Sequence, residues 1–450
     1  MDYYSSWRKT QRFALAVFYY SLQGPHWHQQ DQPIFPNSKT QPPPPQQKQP
    51  SWLSYFTHEC TWYSTLAIGH DISVCWDNGR YRSLHLHGLT INGTLPSEVA
   101  LLTDLQTVEL LPVVKNKAYG KLPIEWSLLT RLETVQLSGM ALVGRLLDEL
   151  TSWTALQHLD MSYNYLDWAV PVDLWIEWPV IHHVNLQSNH YTGKIPSSIQ
   201  HLHDRVTMLD LSRNDLTGDM PHELGQLTLL TSLRLDGNEL AGKPPASLQQ
   251  LSQLQELMLD HNHFEGDIPL HLKYLTELRV LHLHDNAFRG VIPTFLAELT
   301  NLRSLKLSEN SLNGRIPVAL GELTTLQILF LHSNHLQGEI CSEIGQLTRL
   351  EELFLWKNSL EGPLPTELGA LTNLLIFDAS VNKLSGALPS EMAQLWNFPY
   401  FATLLMDPSH RNGGSRLLWK SFTSIATRLL AASKVALSRN ESRRVYRLRQ

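Results

Sequence analysis

The sequence predicts an α/β solenoid: a right-handed superhelix with a concave parallel β-sheet and an irregular or 3-10 convex side. The pattern LxxLxLxxNxLxGxIP recurs from about residue 84 to residue 389. Units of this kind cannot bury their apolar face singly, but a stack of them can. The glycines of the pattern recur every 24 residues, at Gly218, Gly242, Gly266, Gly290, Gly314, Gly338, Gly362 and Gly386.

The strand of each unit is predicted from the alternation of leucines with other residues. In the unit that spans residues 254–269, Leu257 and Leu259 flank Met258. Side chains of a strand alternate between its two faces, so we expect the leucines to face inward and Met258 to face outward. Later in the unit Gly266 permits a tight bend, after which the chain leads to the convex side.

An asparagine follows each strand where the chain turns inward. Its amide can bind backbone groups that the turn would leave unpaired in the core. We therefore expect these residues to form an internal ladder with a structural role. They are Asn189, Asn214, Asn238, Asn262, Asn286, Asn310, Asn334, Asn358 and Asn382.

The early units depart from the pattern. The unit around residues 105–123 carries about three extra residues, Leu147 stands where proline is expected, and Trp168 replaces the glycine. We expect loops or local bends there and an unbroken fold.

Three segments are predicted. Residues 1–79 form an N-terminal cap with a helix and a Pro/Gln-rich insert at 33–50, and residues 80–397 form a solenoid of about thirteen 24-residue repeats. Residues 398–450 are a basic tail that is disordered or partly helical, with a role at a membrane surface or in targeting as an alternative. The apolar run 13–20 is interpreted as a capping helix, with a signal remnant as the alternative.

Charge and composition exclude several functions. The net charge is −6, yet ten Lys/Arg and one acidic residue follow residue 410, so the body is acidic and is not expected to bind nucleic acid. No apolar stretch is long enough for a membrane span in this chain, although anchoring outside it is possible. No phosphate loop, nucleophile elbow, zinc-protease or kinase motif occurs, so neither catalysis nor a cofactor is expected.

The repeat, with its G-x-[IL]-P element, resembles the plant-specific class of leucine-rich repeats found in receptor-like proteins and receptor kinase ectodomains. The resemblance covers about residues 52–397. The amino-terminal segments 11–24, 52–62 and 95–106 look like the cap and first repeat of leucine-rich-repeat proteins abundant in diatoms. Those proteins are typically secreted or anchored at the cell surface, and many lack a kinase.

The resemblance implies a disulfide between Cys60 and Cys75, with free buried thiols as the alternative. Such a bond implies an oxidising compartment, and hence a cell-surface or extracellular location. Asn92 begins a glycosylation sequon, which matters only if the chain is secreted. A cytoplasmic interaction scaffold remains the alternative, favoured by the missing signal segment and by Cys341, which is read as a thiol without a partner.

Two patches of outward residues are candidates for ligand binding. The first joins Phe330, Phe354 and Trp356 with His332 and Lys357, and exposed aromatic side chains on a rigid sheet suit a peptide or glycan. The alternative is an apolar shelf covered by the tail or by another chain. We predict recognition of a protein, peptide or glycan on the concave face.

The second patch combines acidic residues with histidines. A divalent cation and pH-tuned binding are possible uses of such a group, but a solvated acidic face is the preferred interpretation, so no metal ligand is assigned. The patch comprises Asp236, Asp260, Asp285 and Glu309 near His261, His282 and His284.

Overall fold

The computed structural model describes residues 6–22, 80–87, 91–111, 117–146 and 148–392. The chain divides into two units, residues 1–287 and 288–450, and each is described by itself. Each unit is built from short parallel strands and 3-10 helices that repeat in chain order, which confirms the predicted α/β solenoid. The predictions for Cys60, Cys75, the insert and the basic tail lie outside the described residues.

Within each unit, one strand per repeat belongs to a parallel sheet, called the main sheet, and neighbouring strands pair in chain order. Most partners are 24 residues apart, as Leu257 is from Leu281, and both leucines are fully buried beneath the sheet. In the first unit the strands are Ser83–His87, Thr107–Leu111, Thr134–Gln136, His158–Asp160, His183–Asn185, Met208–Asp210, Ser232–Arg234, Glu256–Met258 and Val280–His282. In the second unit they are Ser304–Lys306, Ile328–Phe330, Glu352–Phe354 and Ile376–Asp378.

A second run of parallel strands follows the ladder asparagines, where the sequence predicted only a bend. The bend is present, since Gly266 has a φ of +86°, but the residues around it also pair with the neighbouring repeat and so satisfy their backbone groups. In the first unit these strands are Val143–Gly144, Tyr165–Ala169, His190–Gly193, Asp215–Asp219, Glu239–Gly242 and His263–Asp267, besides the pair Asn92–Gly93 and Lys117–Ala118. Ala287–Val291 begins at the division, and Ser311–Gly314, His335–Gly338, Ser359–Gly362 and Lys383–Leu384 follow.

The side opposite the main sheet carries 3-10 helices, as predicted. Most of them begin after a proline with extended backbone, such as Pro269 with a φ of −68° and a ψ of 127°. Cys341 adopts nearly the same angles, −69° and 146°, and therefore replaces proline without altering the turn. The helices are Ser97–Leu101, Ile124–Leu128, Asp148–Ser152, Ser197–Leu202, His222–Gln226, Ala246–Gln250, Leu270–Tyr274, Thr294–Glu298, Val318–Glu322, Ser342–Gln346 and Thr366–Ala370.

The asparagine ladder is confirmed. The Asn262 amide nitrogen donates to the carbonyl oxygens of Leu235 at 2.9 Å and Asp260 at 3.1 Å. Its Oδ1 accepts from the backbone N–H of Leu240 at 3.0 Å. One buried side chain thus joins two neighbouring repeats and leaves few of the local backbone groups unpaired.

A helix, Ser6–Ser21, packs on the first repeat. Leu15 and Phe18 are fully buried on its inner face, and the Gln11 side-chain oxygen accepts a hydrogen bond from the Tyr81 backbone at 3.0 Å. The polar bond fixes the helix against the edge of the sheet. Among the described residues, none of the helices has both the length and the apolar character that a membrane span requires.

Tryptophans hold the irregular early repeats together. The indole N–H of Trp153 donates to the backbone oxygen of Trp126 at 2.9 Å, and that of Trp178 donates to Leu150 at 3.0 Å. Trp168 takes a left-handed backbone, with a φ of +85°, in the place of the usual glycine. An α-helix, Val172–Glu177, stands where other repeats have a 3-10 helix. The departure at Trp168 therefore changes local geometry, while the strands of these repeats still pair in chain order. Leu147 and residues 112–116 of the longer early unit lie outside the described residues.

Candidate ligand-binding surface

The outward face of the main sheet is built by residues that alternate with buried leucines. In the second unit Phe330 lies directly opposite Phe354 in the neighbouring strand. The adjoining Leu329 and Leu331 are fully buried, which turns the phenylalanines to the other face. The pairing of the two repeats continues beyond Phe330, because the Leu331 N–H donates to the backbone oxygen of Phe354 at 2.8 Å.

Four rings of the second unit form one cluster, the aromatic patch: Phe330, His332, Phe354 and Trp356. The two phenylalanine rings stack with centroids 4.5 Å apart. His332 stacks on Trp356 at 4.4 Å with the ring planes 9° apart. Phe330, Phe354 and Trp356 are half-buried, so each ring keeps an accessible part. The aromatic residues predicted from the sequence are therefore brought together.

Positive charge borders the aromatic patch. The ammonium group of Lys306 lies 5.0 Å from the centre of the Phe330 ring, within range of a cation–π interaction. Lys357 follows Trp356 in the chain and is exposed. The acidic residue Glu309, a predicted member of the second patch, is also exposed in this unit. Burial is the main reason that the pKa of His332 is lowered to about 4, and the positive charge of Lys357 lowers it further. His332 is therefore a neutral ring in the cluster at ordinary pH.

In the first unit a group of acidic and histidine side chains forms a second cluster, the Asp/His cluster: Asp260, His261, His282, His284 and Asp285. His284 Nε2 lies 3.4 Å from Asp260 Oδ2, and His282 Nδ1 lies 4.0 Å from Asp260 Oδ1. His261 Nδ1 contacts Asp285 Oδ2 at 2.5 Å. The sequence predicted that these residues lie near each other, and in the structure they are in contact.

Two features of this face differ from the sequence-based interpretation. The first difference is burial: the sequence favoured a solvated acidic face, but Asp236 and Asp260 are only 8% and 5% exposed. His282 and His332 are buried as well. Side chains of stacked strands lie about 5 Å apart and cover one another. Burial, followed by the charge of Asp210, raises the pKa of Asp236.

The second difference concerns the residue before each ladder asparagine. His261, Asp285, Glu309 and Lys357 all have φ between +50° and +55°, so they lie on a left-handed turn at the end of the strand and not on the strand itself. The signal was present in the sequence, because Gly237 occupies the same place in its repeat. Left-handed backbone turns these side chains outward, and all four are exposed.

Two further predicted residues lie away from this face. Asn92 is half-buried in the short strand Asn92–Gly93, with its side-chain oxygen buried and the Leu22 carbonyl close by. Cys341 is a free, half-buried cysteine, and burial raises the pKa of its thiol. A thiol of this kind is less reactive than an exposed one.

A family model described as leucine rich repeat matches residues 204–264 and 276–336. No curated protein sequence matches the chain.

Among solved structures, the chain is similar to the plant peptide hormone receptor RGFR1 in complex with RGF2, with 32% identity and a TM-score of 0.64 over 70% of this chain and 50% of that one. It is similar to the PEPR1–AtPEP1 structure, with 26% identity and a TM-score of 0.68 over 88% of this chain and 51% of that one. The similarity to a leucine-rich-repeat protein of Leptospira interrogans has 31% identity and a TM-score of 0.59 over 71% of this chain and 76% of that one. The chain spans about half the length of the two receptor chains.

Proposed function

The chain belongs to the leucine-rich-repeat family, with repeats of the plant receptor-ectodomain type, and from this premise we propose that it is a non-catalytic, receptor-like recognition module for a peptide or protein ligand. The ligand binds the outward face of the main sheet at the aromatic patch. Folds of this kind are generally binding modules, in which a rigid sheet presents side chains that vary from repeat to repeat.

The observation that carries the proposal is the stacked arrangement of the four rings. Phe330, Phe354 and Trp356 are already ordered by stacking on each other and on His332. A ligand that covers them gains apolar contact area without first ordering flexible side chains. Partly covered tryptophan and other aromatic rings at the centre of a binding surface commonly carry most of the binding energy.

The charges around the patch indicate the chemistry of the ligand. Lys306 and Lys357 offer two cations beside the rings. A peptide that carries an aromatic or aliphatic side chain next to a carboxylate fits both features, because one group covers the rings and the other pairs with a lysine. The solved relative RGFR1 is itself a plant peptide hormone receptor in complex with RGF2, which supports a peptide for this chain as well.

The proposal is tested with peptides selected from a displayed random library on the immobilised full chain. The double variant Phe354→Ala, Trp356→Ala removes two of the rings, and we expect the recovered peptides to bind it roughly 30- to 1000-fold more weakly, a loss of about 2 to 4 kcal/mol. Calorimetry or surface plasmon resonance measures the affinities.

Tyr274→Ala is the matched control. Tyr274 is an aromatic residue with 52% exposure that lies on the 3-10 helix Leu270–Tyr274, away from the main sheet. It should leave affinity unchanged. Equal binding to the native chain and to the double variant would remove the aromatic patch from the proposal.

A cell-surface or secreted location is part of the proposal. It is supported by the plant receptors among the similar structures and by the implied disulfide. Mass measurement of native material without reductant tests it, because a bond between Cys60 and Cys75 lowers the mass by two hydrogens. Free thiols at both positions would favour the alternative, a cytoplasmic interaction scaffold. The half-buried free thiol of Cys341 is also consistent with that alternative.

A further inference from the structure

Three side chains of the Asp/His cluster converge on one point: Asp260, His282 and His284. Each offers a ligand atom, and the three atoms lie within 4.8 Å of one another. The side chains of Asp260 and His282 are 7% and 10% exposed, and that of His284 is 17% exposed. They are therefore close together and largely screened from bulk water.

The backbone holds the three residues in this arrangement. Leu281 and Leu283 are fully buried, so His282, at the end of the strand Val280–His282, and His284, two residues later, both face outward. The Asp260 repeat lies alongside, because Leu259 N–H donates to the His282 carbonyl at 2.9 Å and His261 N–H donates to the His284 carbonyl at 3.1 Å. Ligands on a hydrogen-bonded sheet lose little freedom on binding an ion.

We propose that Asp260, His282 and His284 bind a divalent transition-metal ion of the zinc class. Two imidazole nitrogens and one carboxylate suit Zn²⁺, Cu²⁺, Ni²⁺ or Co²⁺, whereas Ca²⁺ and Mg²⁺ prefer oxygen ligands alone. The site differs from the proposed peptide surface in its residues and in its ligand.

The distances suit such an ion after small side-chain movements. Ligand atoms around tetrahedral zinc are about 3.3 Å apart, which follows from metal–ligand distances of about 2.0 to 2.1 Å. The 3.4 Å between His284 Nε2 and Asp260 Oδ2 already has this value. His282 Nδ1 lies 4.0 Å from the other carboxylate oxygen of Asp260, Oδ1, and the three ligand atoms lie within 4.8 Å of one another, so the widest separation shortens by at most about 1.5 Å when the ion binds. Three protein ligands would leave one coordination position for water or another ligand.

His261 and Asp285 support the same site from its rim. His261 Nε2 is 3.9 Å from Asp260 Oδ2, while its Nδ1 contacts the Asp285 carboxylate. A carboxylate on the far nitrogen is the usual partner of a metal-binding histidine, since it fixes the tautomer and the ring orientation. His261 is the nearest further donor, but its 55% exposure makes it less firmly held than the three ligands.

Titration of the full chain with Zn²⁺ in a calorimeter tests the proposal. We expect one tight site in the native chain and an affinity at least about 100-fold lower in His284→Asn and in Asp260→Asn, because each loses a ligand. His261→Gln should lower the affinity by about 10-fold or less. Circular dichroism and thermal unfolding without metal show whether each variant is folded.

His263→Asn is the matched control. His263 also contacts a carboxylate, that of Glu239, but its side chain is 65% exposed and it lies on a strand that follows the ladder asparagine. This variant should bind Zn²⁺ as the native chain does. Histidines elsewhere in the chain contribute equally to the native protein, to the control and to the variants, so the comparison isolates this site.

Electron paramagnetic resonance with one equivalent of Cu²⁺ is a second measurement, and it identifies the nitrogen ligands of the ion. The native chain should show hyperfine coupling to two imidazole nitrogens, and His282→Asn should show one. Equal Zn²⁺ affinity in the native chain and in His284→Asn would overturn the proposal. So would a Cu²⁺ spectrum that His282→Asn leaves unchanged.

Discussion

At the scale of the residue, His332 shows how far a neighbouring repeat alters one side chain of the main sheet. It is 8% exposed, and its ring stacks on Trp356, which is 24 residues further along the chain. Burial is the larger cause of its lowered pKa, and the positive charge of Lys357 adds to it. An imidazole that would be half-protonated near pH 6.5 in an unfolded chain is therefore neutral in the folded one.

This shift predicts a loss of stability on acidification. Between pH 6.5 and pH 4 the unfolded chain binds a proton at His332 that the folded chain does not, so lowering the pH favours unfolding. The contribution of His332 between pH 7 and pH 5 is about 2 kcal/mol. His332→Gln should lack this part of the pH dependence in urea unfolding. Identical pH dependence in the native chain and the variant would contradict the burial of a neutral histidine.

At the scale of the element, the 3-10 helices of successive repeats approach closely wherever a glycine occupies their fourth position. A methyl group on Gly345 would lie 2.5 Å from the backbone oxygen of Glu367, and one on Gly321 would lie 2.5 Å from that of Glu343. Alanine is disfavoured at these positions by lack of space and not by backbone conformation, because neither glycine has a positive φ. The glycine sets how near the next helix can lie.

We therefore expect Gly345→Ala to lower the free energy of unfolding by about 1 to 3 kcal/mol, the usual cost of inserting a methyl group into a packed contact. Chemical denaturation measures the change. Gln346→Ala alters the adjacent residue of the same helix, Ser342–Gln346, which is exposed, and should leave stability within about 0.5 kcal/mol of the native value. If Gly345→Ala were as stable as Gln346→Ala, the close helix contact would not exist in solution.

At the scale of the whole molecule, stability in a solenoid is a sum over repeats and over the contacts between neighbours. Asn334 is one such contact. Its amide nitrogen donates to the carbonyl oxygens of Leu307 at 3.0 Å and Leu331 at 3.2 Å, and its Oδ1 accepts from the Leu312 N–H at 2.9 Å. The removal of this side chain leaves several buried backbone groups without a partner.

Asn334→Ala should cost about 3 to 5 kcal/mol, because each unsatisfied buried group costs about 1 to 3 kcal/mol. The damage should stay local: amide hydrogen exchange should accelerate most in the repeats that flank residue 334 and least in the early repeats of the first unit. Asn313→Ala, at an exposed asparagine of the strand Ser311–Gly314, is the control and should change neither measurement. A uniform loss of protection along the chain would contradict this account.

The candidate site was predictable in part. The register of Phe330 with Phe354 follows from the 24-residue spacing, and so does the contact between Asp260 and His284. The second run of strands was not predictable from the pattern, because a residue such as His263 pairs with the backbone of another repeat and carries no signal of its own.

The sequence by itself determined the repeat: which leucines are buried, where each asparagine turns the chain, and the distance along the chain at which neighbours meet. Those properties depend on local periodicity and on the obligation of buried backbone groups to be paired. Only the tertiary structure decided which outward side chains are covered, as Asp236 and His332 are, and which are exposed on left-handed turns, as Lys357 is. The reason is that coverage depends on the size and direction of side chains one repeat away, which come within about 5 Å only when the strands stack.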